Sequence, residues 1–137
     1  MITVQESHVV TCFLENREKV LILKRSSRVG SYQQRWAGIS GFIEAGVSPL
    51  EQALIELREE VGLNANDLKL KNEGDVLEII DSELDKKWLV HPFKFGLEDH
   101  NQIKLDWEHT EYKWVDPEEI LQCDTVPGLY RAWERVR

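Results

Sequence analysis

Three glutamates, Glu56, Glu59 and Glu60, stand at helical spacing near the middle of the chain. A helix turns by about 100° per residue, so the three carboxylates would share one face within an arc of about 100°. Carboxylates three and four residues apart repel each other by about 0.2–0.5 kcal/mol per pair, and the last turn of a helix favours cations instead. Arg58 projects to a different side of this helix, so the repulsion needs another source of positive charge.

A bound divalent cation would supply that charge. Sites with several carboxylates and few other ligands suit Mg²⁺ or Mn²⁺, and water and substrate phosphates complete the coordination. We therefore predict that Glu56, Glu59 and Glu60 bind Mg²⁺ or Mn²⁺. The alternative is an acidic helix face that is simply solvated.

The helix that would carry these glutamates has recognisable ends. Ser48, Pro49 and Glu51 match a capping box with proline at the first helical position. Gly62 is the residue type that ends a helix in the left-handed conformation. We predict a helix from residue 49 to residue 61 with one apolar stripe facing the core. The stripe consists of Leu50, Ala53, Leu54, Leu57 and Val61.

Short strands and helices surround this predicted helix. Apolar runs bounded by turn residues predict strands at residues 7–14, 19–24, 36–44, 67–71, 75–81, 88–95 and 110–115. Pro92, inside the sixth of these, predicts an edge strand or a bulge. Short helices are predicted to begin at Asp116 and to cover residues 127–136. This order predicts an α/β (α+β) fold in one domain, residues 1–137.

The composition narrows the range of partners. The 137 residues carry a net charge of −8 at pH 7, which argues against binding to nucleic acid. We predict no contact with a membrane, because no apolar run approaches the roughly 20 residues of a membrane span and the start of the chain lacks the features of a signal peptide.

Cys12 and Cys123 are too few for a disulfide framework, so we expect reduced thiols and a cytoplasmic location. The four histidines stand singly, and each is expected to be structural or at the surface.

Residues 41–63 resemble the Nudix box, G-x5-E-x7-R-E-U-x-E-E-x-G-U, where U is a bulky aliphatic residue. Two of the nine defined positions depart from this pattern, since Val47 replaces the first glutamate and Ile55 replaces the arginine. The surroundings are also similar to the family, with a strand hairpin before the box, Trp36 just upstream, and Glu108, Glu111 and Trp114 downstream. The seven positions that match are Gly41, Glu56, Leu57, Glu59, Glu60, Gly62 and Leu63.

The resemblance implies an α/β/α sandwich with a mixed sheet and a metal site built on a strand, a loop and a helix. It also implies a hydrolase that cleaves the diphosphate bond of a nucleoside diphosphate linked to another moiety. Glu56, Glu59 and Glu60 match the metal-binding glutamates of the family, and the backbone carbonyl of Ser40, just before the box glycine, would join them. A homodimer is expected only by analogy with the family.

The two departures concern how the glutamates are held in place. In the family, the box arginine braces the catalytic glutamates through an ion pair, and Ile55 cannot do so. We predict that Val47 and Ile55 replace the polar brace with an apolar contact, because such an exchange can be neutral for stability. The cost would then fall on the positioning of the glutamates and on the reaction rate.

Hydrolysis of a diphosphate needs neutralised phosphate oxygens, an activated water and a positioned leaving group. We predict that Glu59 or Glu60 orients or deprotonates the water, with Glu108 and Glu111 as second candidates. Glu44 is expected at the edge of the site, either as a carboxylate near the metal or as a brace for the loop.

A basic cluster around Tyr32 could seat phosphates or stack a base. It consists of Lys24, Arg25, Arg28 and Arg35, and we select Arg25 and Arg35 with Tyr32 as substrate-binding candidates. Solvated loop charges are the alternative. Most of the five tryptophans are expected in the core, with one lining a base pocket.

Two other functions remain open at this point. A non-catalytic domain that binds a nucleotide is favoured by the missing arginine and first glutamate, and disfavoured by the intact trio of glutamates. An isomerase of prenyl diphosphates would need a further catalytic cysteine and glutamate, and neither Cys12 nor Cys123 has a context that requires this role.

Overall fold

The structure, a computed structural model, describes residues 5–98 and 102–137. Within these ranges eight strands form one mixed sheet. The strands are β1 (Gln5–Asn16), β2 (Lys19–Arg25), β3 (Trp36–Ala37), β4 (Ile39–Phe42), β5 (Lys69–Glu73), β6 (Leu77–Asp81), β7 (Lys86–Gly96) and β8 (His109–Val115). The helices described are α1 (Pro49–Val61) and α2 (Leu129–Glu134), with 3₁₀ turns at Ala65–Asp67 and Pro117–Gln122.

Strand β1 occupies the centre of the sheet because both of its edges are paired. One edge runs parallel to β7, from Gln5 opposite Lys86 to Glu15 opposite Gly96. The other edge pairs antiparallel with β4 at one end and with β2 at the other. Beyond β2 lie β3 and β8, and beyond β7 lie β5 and β6.

Alternating side chains along β1 divide the core into two layers. Cys12 and Leu14 are fully buried on the face that α1 covers. Phe13, between them, points to the opposite face, where its ring meets the edge of Trp133 from α2 with the ring centroids 5.5 Å apart. The predicted α/β/α sandwich with a mixed sheet is therefore confirmed.

Helix α1 has the predicted bounds. Ser48 Oγ accepts a hydrogen bond from the Glu51 backbone N–H at 3.2 Å, and the Glu51 carboxylate accepts one from the Ser48 N–H at 3.4 Å. Gly62 ends the helix with a φ of 73°, a conformation that costs glycine little. Leu57 and Val61 are fully buried, so the apolar stripe faces the core as predicted.

Three predicted elements differ in detail. The predicted strand at residues 36–44 is divided into β3, which pairs with β2, and β4, which pairs with β1. The predicted helix after Asp116 is a 3₁₀ turn, and the predicted terminal helix is limited to α2. No helix in the described part of the chain is long and apolar enough to cross a membrane.

The expectation that Pro92 marks an edge strand is wrong, and the bulge recorded in this part of the sheet lies in the pairing of β5 with β7, between Leu70 and Asn72. Strand β7 is an interior strand, with β1 on one side and both β6 and β5 on the other. On that second side β6 ends opposite Val90 and β5 reaches only to Phe93. Pro92, which has no N–H to donate, lies where one partner strand gives way to the next, and its carbonyl accepts from Gly74 N–H at 3.0 Å.

His8 and His91 lie on the paired strands β1 and β7, and their ring nitrogens Nδ1 and Nε2 are 3.0 Å apart. Burial lowers the pKa of His91, the charge of His8 lowers it further, and the charge of Glu73 opposes the shift. A lowered pKa means that the unfolded chain binds more protons than the folded chain below the ordinary histidine value of about 6.5.

We therefore expect the contribution of His91 to the free energy of unfolding to fall as the pH drops from about 7 to about 5, because this imidazole must be protonated against its environment. The variant His91→Gln should lose this part of the dependence. Urea unfolding of both proteins at several pH values measures it. A difference between wild type and variant that does not change with pH would contradict the prediction.

Candidate active site

Glu60 lies in the last turn of α1 with only 2% of its surface exposed. Its Oε1 is 3.7 Å from Nε2 of His109, and its Oε2 is buried without a hydrogen-bond partner among the described residues. Burial raises the pKa of Glu60 well above its usual value, a hydrogen bond with the Glu56 side chain raises it further, and the charges of Glu56, Glu108 and Asp106 add to this. Burial lowers the pKa of His109, so this imidazole offers no full positive charge near neutral pH.

Glu56, one turn earlier, is held between strand β4 and the helix itself. Its carboxylate lies directly against the Cα of Gly41, in the space that a side chain would otherwise fill. On the helix side Gln52 Nε2 donates to Glu56 Oε1 at 2.9 Å. Gln52 Oε1 in turn accepts from the backbone N–H of Glu44 at 3.2 Å, which links the helix to the loop after β4.

Glu59 and Glu108 complete the acidic group at the surface. Glu59 is exposed, whereas Glu108 is half-buried in the turn before β8. Burial raises the pKa of Glu108, and the charges of Asp106, Glu56 and Glu59 add to this while that of Arg25 opposes it. The four glutamates therefore influence one another electrostatically although only three of them share the helix.

A cavity of about 180 Å³ opens beside these carboxylates. Its polar lining comes from Arg25, Ser40, Glu108, Thr11 and Ser31, together with the backbone of Gly41. The remaining lining is mainly apolar and aromatic, and it consists of Val9, Tyr32, Ala37, Phe42, Ile79, Trp88, Val90, Val126 and Pro127. A planar apolar ligand with a negatively charged tail would match this division.

Hydrogen bonds fix the aromatic side of the cavity. Trp88 Nε1 donates to Tyr32 Oη at 3.0 Å, and the Tyr32 hydroxyl donates to Asp81 Oδ2 at 2.5 Å. Burial and the bond to Asp81 raise the pKa of Tyr32 to about 12, so its hydroxyl stays protonated at neutral pH. Phe42 lies next to Trp88 with the ring centroids 5.9 Å apart.

Arg25 connects the cavity to the acidic group. Its Nε and Nη2 both donate to the Ser31 carbonyl, at 3.1 and 2.9 Å. Burial lowers its pKa, and the charges of Glu108 and Glu60 oppose that shift. The guanidinium is thus held in place while its charge acts on both carboxylates.

The structure brings some of the predicted substrate-binding residues together and leaves others apart. Arg25 and Tyr32 line the cavity, as does Ser40, whose hydroxyl is 3.1 Å from that of Thr11. Arg35 lies outside the lining, with Cζ 5.9 Å from the Tyr32 ring and Nε 3.8 Å from Asp124. The position of Arg35 does not support a direct substrate contact.

The structure also shows where Glu44, Glu111 and the tryptophans lie. The Glu44 side chain is exposed, and its backbone N–H makes the contact with α1. Glu111 is exposed on β8, opposite Lys24 of β2, and is not part of the cavity lining. Trp88 is the tryptophan that lines the cavity, and Trp107 is 55% exposed. Trp133 belongs to the core, and Trp36 and Trp114 pack against the core.

Three residues beside the glutamates were missed at the sequence level. Gln52 precedes Glu56 by four residues on the same helix face, so the spacing alone could have found it. His109, which was expected to be structural or at the surface, is buried beside Glu60 and also lies 3.6 Å from Asp106. No local signal reveals His109 or Asp106, because the pairing of β2 with β8 brings them to the helix.

The predicted metal site can be compared with what the binding of a divalent cation requires. Within residues 5–98 and 102–137, no three acidic, histidine or cysteine side chains converge closely enough to form a complete binding site. Two observations nevertheless fit a cation at this place. Glu60 Oε2 is buried with no hydrogen-bond partner among the described residues, and the neighbouring Glu56 carboxylate raises the pKa of Glu60 beyond the effect of burial. Val47 and Ile55 are both half-buried, and contact between them stays a prediction.

Comparisons with known proteins agree with this architecture. The NUDIX domain family model matches residues 6–135. The chain is 29% identical over 116 residues to the asymmetrical bis(5′-nucleosyl)-tetraphosphatase of Mus musculus, covering 84% of this chain and 76% of that protein. It is 28% identical over 119 residues to an octanoyltransferase of Myxococcus xanthus, of which the match spans only 32%. The crystal structure of the MutT protein from Methanosarcina mazei Go1 superposes with a TM-score of 0.76 at 24% identity, covering 98% of this chain and 95% of that one.

Gly41→Ala is expected to disturb the site, because a Cβ at this position would overlap the Glu56 carboxylate. We expect affinity for Mn²⁺ to fall by about 10–100-fold, the usual cost of disturbing a residue that orients a ligand. Isothermal titration calorimetry measures this. Gly30→Ala is the matched control, since a Cβ there meets no atom within 4 Å. Equal Mn²⁺ affinities in the two variants would refute the proposed role of the Gly41 contact.

Proposed function

The chain belongs to the NUDIX domain family and is a pyrophosphohydrolase of that family, and we propose that it cleaves the diphosphate bond of a nucleoside diphosphate linked to another moiety, using Mg²⁺ or Mn²⁺. One observation carries this proposal. The Glu56 carboxylate contacts Gly41, which lines a cavity together with Arg25, Glu108 and three aromatic side chains, and Glu60 is buried one turn further along the helix with its Oε2 unpaired within the described part of the chain. Such a site offers a place for a cation, a phosphate and a base next to one another.

Nudix hydrolases generally use divalent metal ions. In this chain Glu56, Glu59, Glu60 and the backbone carbonyl of Ser40 would hold the ion. When bound, it would neutralise charge on the phosphate oxygens and polarise the attacking water. The supporting feature is the charge balance, since one nearby guanidinium, that of Arg25, does not balance the carboxylates around Glu60.

The carboxylates differ in their access to solvent, which bears on the general base. Glu60 is almost completely buried and in contact with His109, so it is better placed to hold the cation than to take a proton from water. Glu59 is exposed, and Glu108 lines the cavity. We propose Glu59 as the group that orients the attacking water, with Glu108 as the alternative.

The cavity is suited to a nucleoside. Tyr32, Phe42 and Trp88 line it, so a base could pack against these rings, and Arg25 in the same lining could pair with the phosphates. The Tyr32 hydroxyl and the Trp88 N–H are already committed to the chain of hydrogen bonds that ends at Asp81. Recognition of the base would therefore rely on stacking rather than on hydrogen bonds from these two residues.

Two alternatives can be weighed against this proposal. A non-catalytic domain that binds a nucleotide is favoured by Val47 and Ile55, which stand where the family has its first glutamate and its arginine. A prenyl diphosphate isomerase would need an available cysteine. Cys12 is fully buried, and burial together with the charges of the nearby glutamates raises the pKa of its thiol, so it is unsuited to that role.

Hydrolysis can be tested with a panel of dinucleoside polyphosphates, sugar nucleotides and nucleoside triphosphates in the presence of Mg²⁺ or Mn²⁺. We expect Glu56→Gln and Glu60→Gln each to lower kcat/KM by about 100-fold or more, because each removes a negative charge facing the cation. Glu134→Gln, an exposed glutamate of α2, serves as the control and should match wild type. If wild type is as inactive as Glu60→Gln on every substrate, only the binding alternative remains.

If the base is recognised by stacking, substrates with different bases should be hydrolysed with similar efficiency. For substrates with the same phosphate chain, we expect kcat/KM for adenine and guanine forms to differ by less than about 10-fold. Trp88→Ala should lower both values by a similar factor of about 10–100, since stacking contributes about 1–3 kcal/mol per base. Trp107→Ala, which alters an exposed tryptophan outside the cavity lining, should leave both unchanged. A preference above about 100-fold for one base would count against recognition by stacking.

A further inference from the structure

Ile55 stands where the family has the arginine that braces the catalytic glutamates, yet Glu56 is held in this structure. We propose that Gln52 is the positioning residue that holds Glu56 and, through Glu44, ties the loop after β4 to helix α1. Gln52 would thus take the place of the missing ionic brace. This inference rests on the proposed function, because it assigns a role to Gln52 in arranging the cation site.

The first argument is the burial of Gln52, which is 1% exposed. Burial of an amide in a protein interior costs about 1–3 kcal/mol unless its polar atoms find partners. Both ends of this amide have one, since Nε2 donates to Glu56 Oε1 and Oε1 accepts from Glu44 N–H. The side chain is therefore fixed at both ends, and so is the carboxylate to which it donates.

The second argument is the position of the Glu56 carboxylate. It lies against the Cα of Gly41 in β4 and receives the Gln52 amide from one helical turn earlier. These two contacts restrict it from two sides. A carboxylate has about four sites that can accept hydrogen bonds, so one bond from Gln52 leaves capacity for a cation.

The third argument is electrostatic. An arginine at residue 55 would neutralise part of the negative charge that attracts a divalent cation, whereas the amide of Gln52 is neutral. Gln52 therefore orients Glu56 without competing for its charge. The loss of the arginine costs this chain an ion pair but leaves the attraction for a cation intact.

The fourth argument concerns the loop between β4 and α1. The Glu44 carbonyl accepts from Val47 N–H at 3.1 Å, which forms a turn, and the Glu44 N–H is the group that Gln52 binds. The turn is thereby fixed to the helix close to Ser40 and Gly41. Loss of the amide would release the loop and the carboxylate together.

The test uses Gln52→Met, which keeps the size of the side chain and removes both hydrogen bonds. We expect Mn²⁺ affinity, measured by calorimetry without substrate, to fall by about 10–100-fold, the range found when orienting partners of metal ligands are lost. The value of kcat should fall by a similar factor while the KM for the nucleotide changes less than about 3-fold, since the aromatic cavity is untouched. Gln122→Met, at an exposed glutamine, is the matched control.

Rescue separates positioning from simple filling of space. The double variant Gln52→Met with Ile55→Arg should recover most of the lost kcat, because it restores the ionic brace of the family, while its Mn²⁺ affinity stays below that of wild type because the arginine neutralises part of the negative charge. Should Gln52→Met fail to fold, Gln52→Asn carries the same test, as it keeps the amide but shortens its reach. Wild-type values in the folded Gln52 variant, or no recovery in the double variant, would overturn the inference. Failure of the proposed function is distinguishable, because wild type itself would then neither bind Mn²⁺ nor hydrolyse any substrate.

Discussion

Removal of an ionised carboxylate from water costs several kcal/mol unless the charge is paired. Glu60 is buried with other carboxylates as its electrostatic neighbours, and its pKa is therefore raised well above the usual value. Its close contact, His109, is kept neutral by burial near physiological pH, and Arg25 acts on Glu60 from the cavity wall. Such an arrangement is maintained only where the rest of the fold supplies the stability. Two apolar layers, one on each face of the sheet, provide that stability here. The proposed cation is the partner that this charge distribution lacks.

The sheet brings groups from distant parts of the chain to this one carboxylate. Because β1 pairs with β4, Gly41 lies beside helix α1 and leaves room for Glu56. Because β2 pairs with β8, the turn that carries Glu108 meets the end of the same helix, with His109 opposite Arg25. The parallel pairing of β1 with β7 places the aromatic wall at the other side of the cavity. The site is thus a consequence of topology as much as of the helix that supplies its glutamates.

The features that sequence predicted well are those with local causes. Helix α1 was predicted with its correct ends because a capping box, an apolar stripe and a terminal glycine all lie within 15 residues, Ser48 to Gly62. The aromatic wall could not be predicted, since the contact between Tyr32 and Trp88 joins residues 56 positions apart. The prediction of an edge strand from Pro92 failed because the position of Pro92 between two partner strands depends on where β5 and β6 end, which no local pattern fixes. The roles of the site residues themselves stay predictions until the variants are measured.

The departure from the Nudix box at Ile55 acquires a meaning once Gln52 is considered. In the proposed arrangement the neutral amide of Gln52 orients Glu56. The chain therefore lacks the positive charge of the box arginine but still holds the Glu56 carboxylate in place. The negative charge around Glu60 is then larger than it would be with an ionic brace. The bound cation and Arg25 must balance that charge. Arg25 also lines the cavity, where it would meet the substrate phosphates. A substrate that brings phosphate toward Arg25 would weaken its hold on Glu60, so binding of cation and substrate should be mutually dependent in this chain.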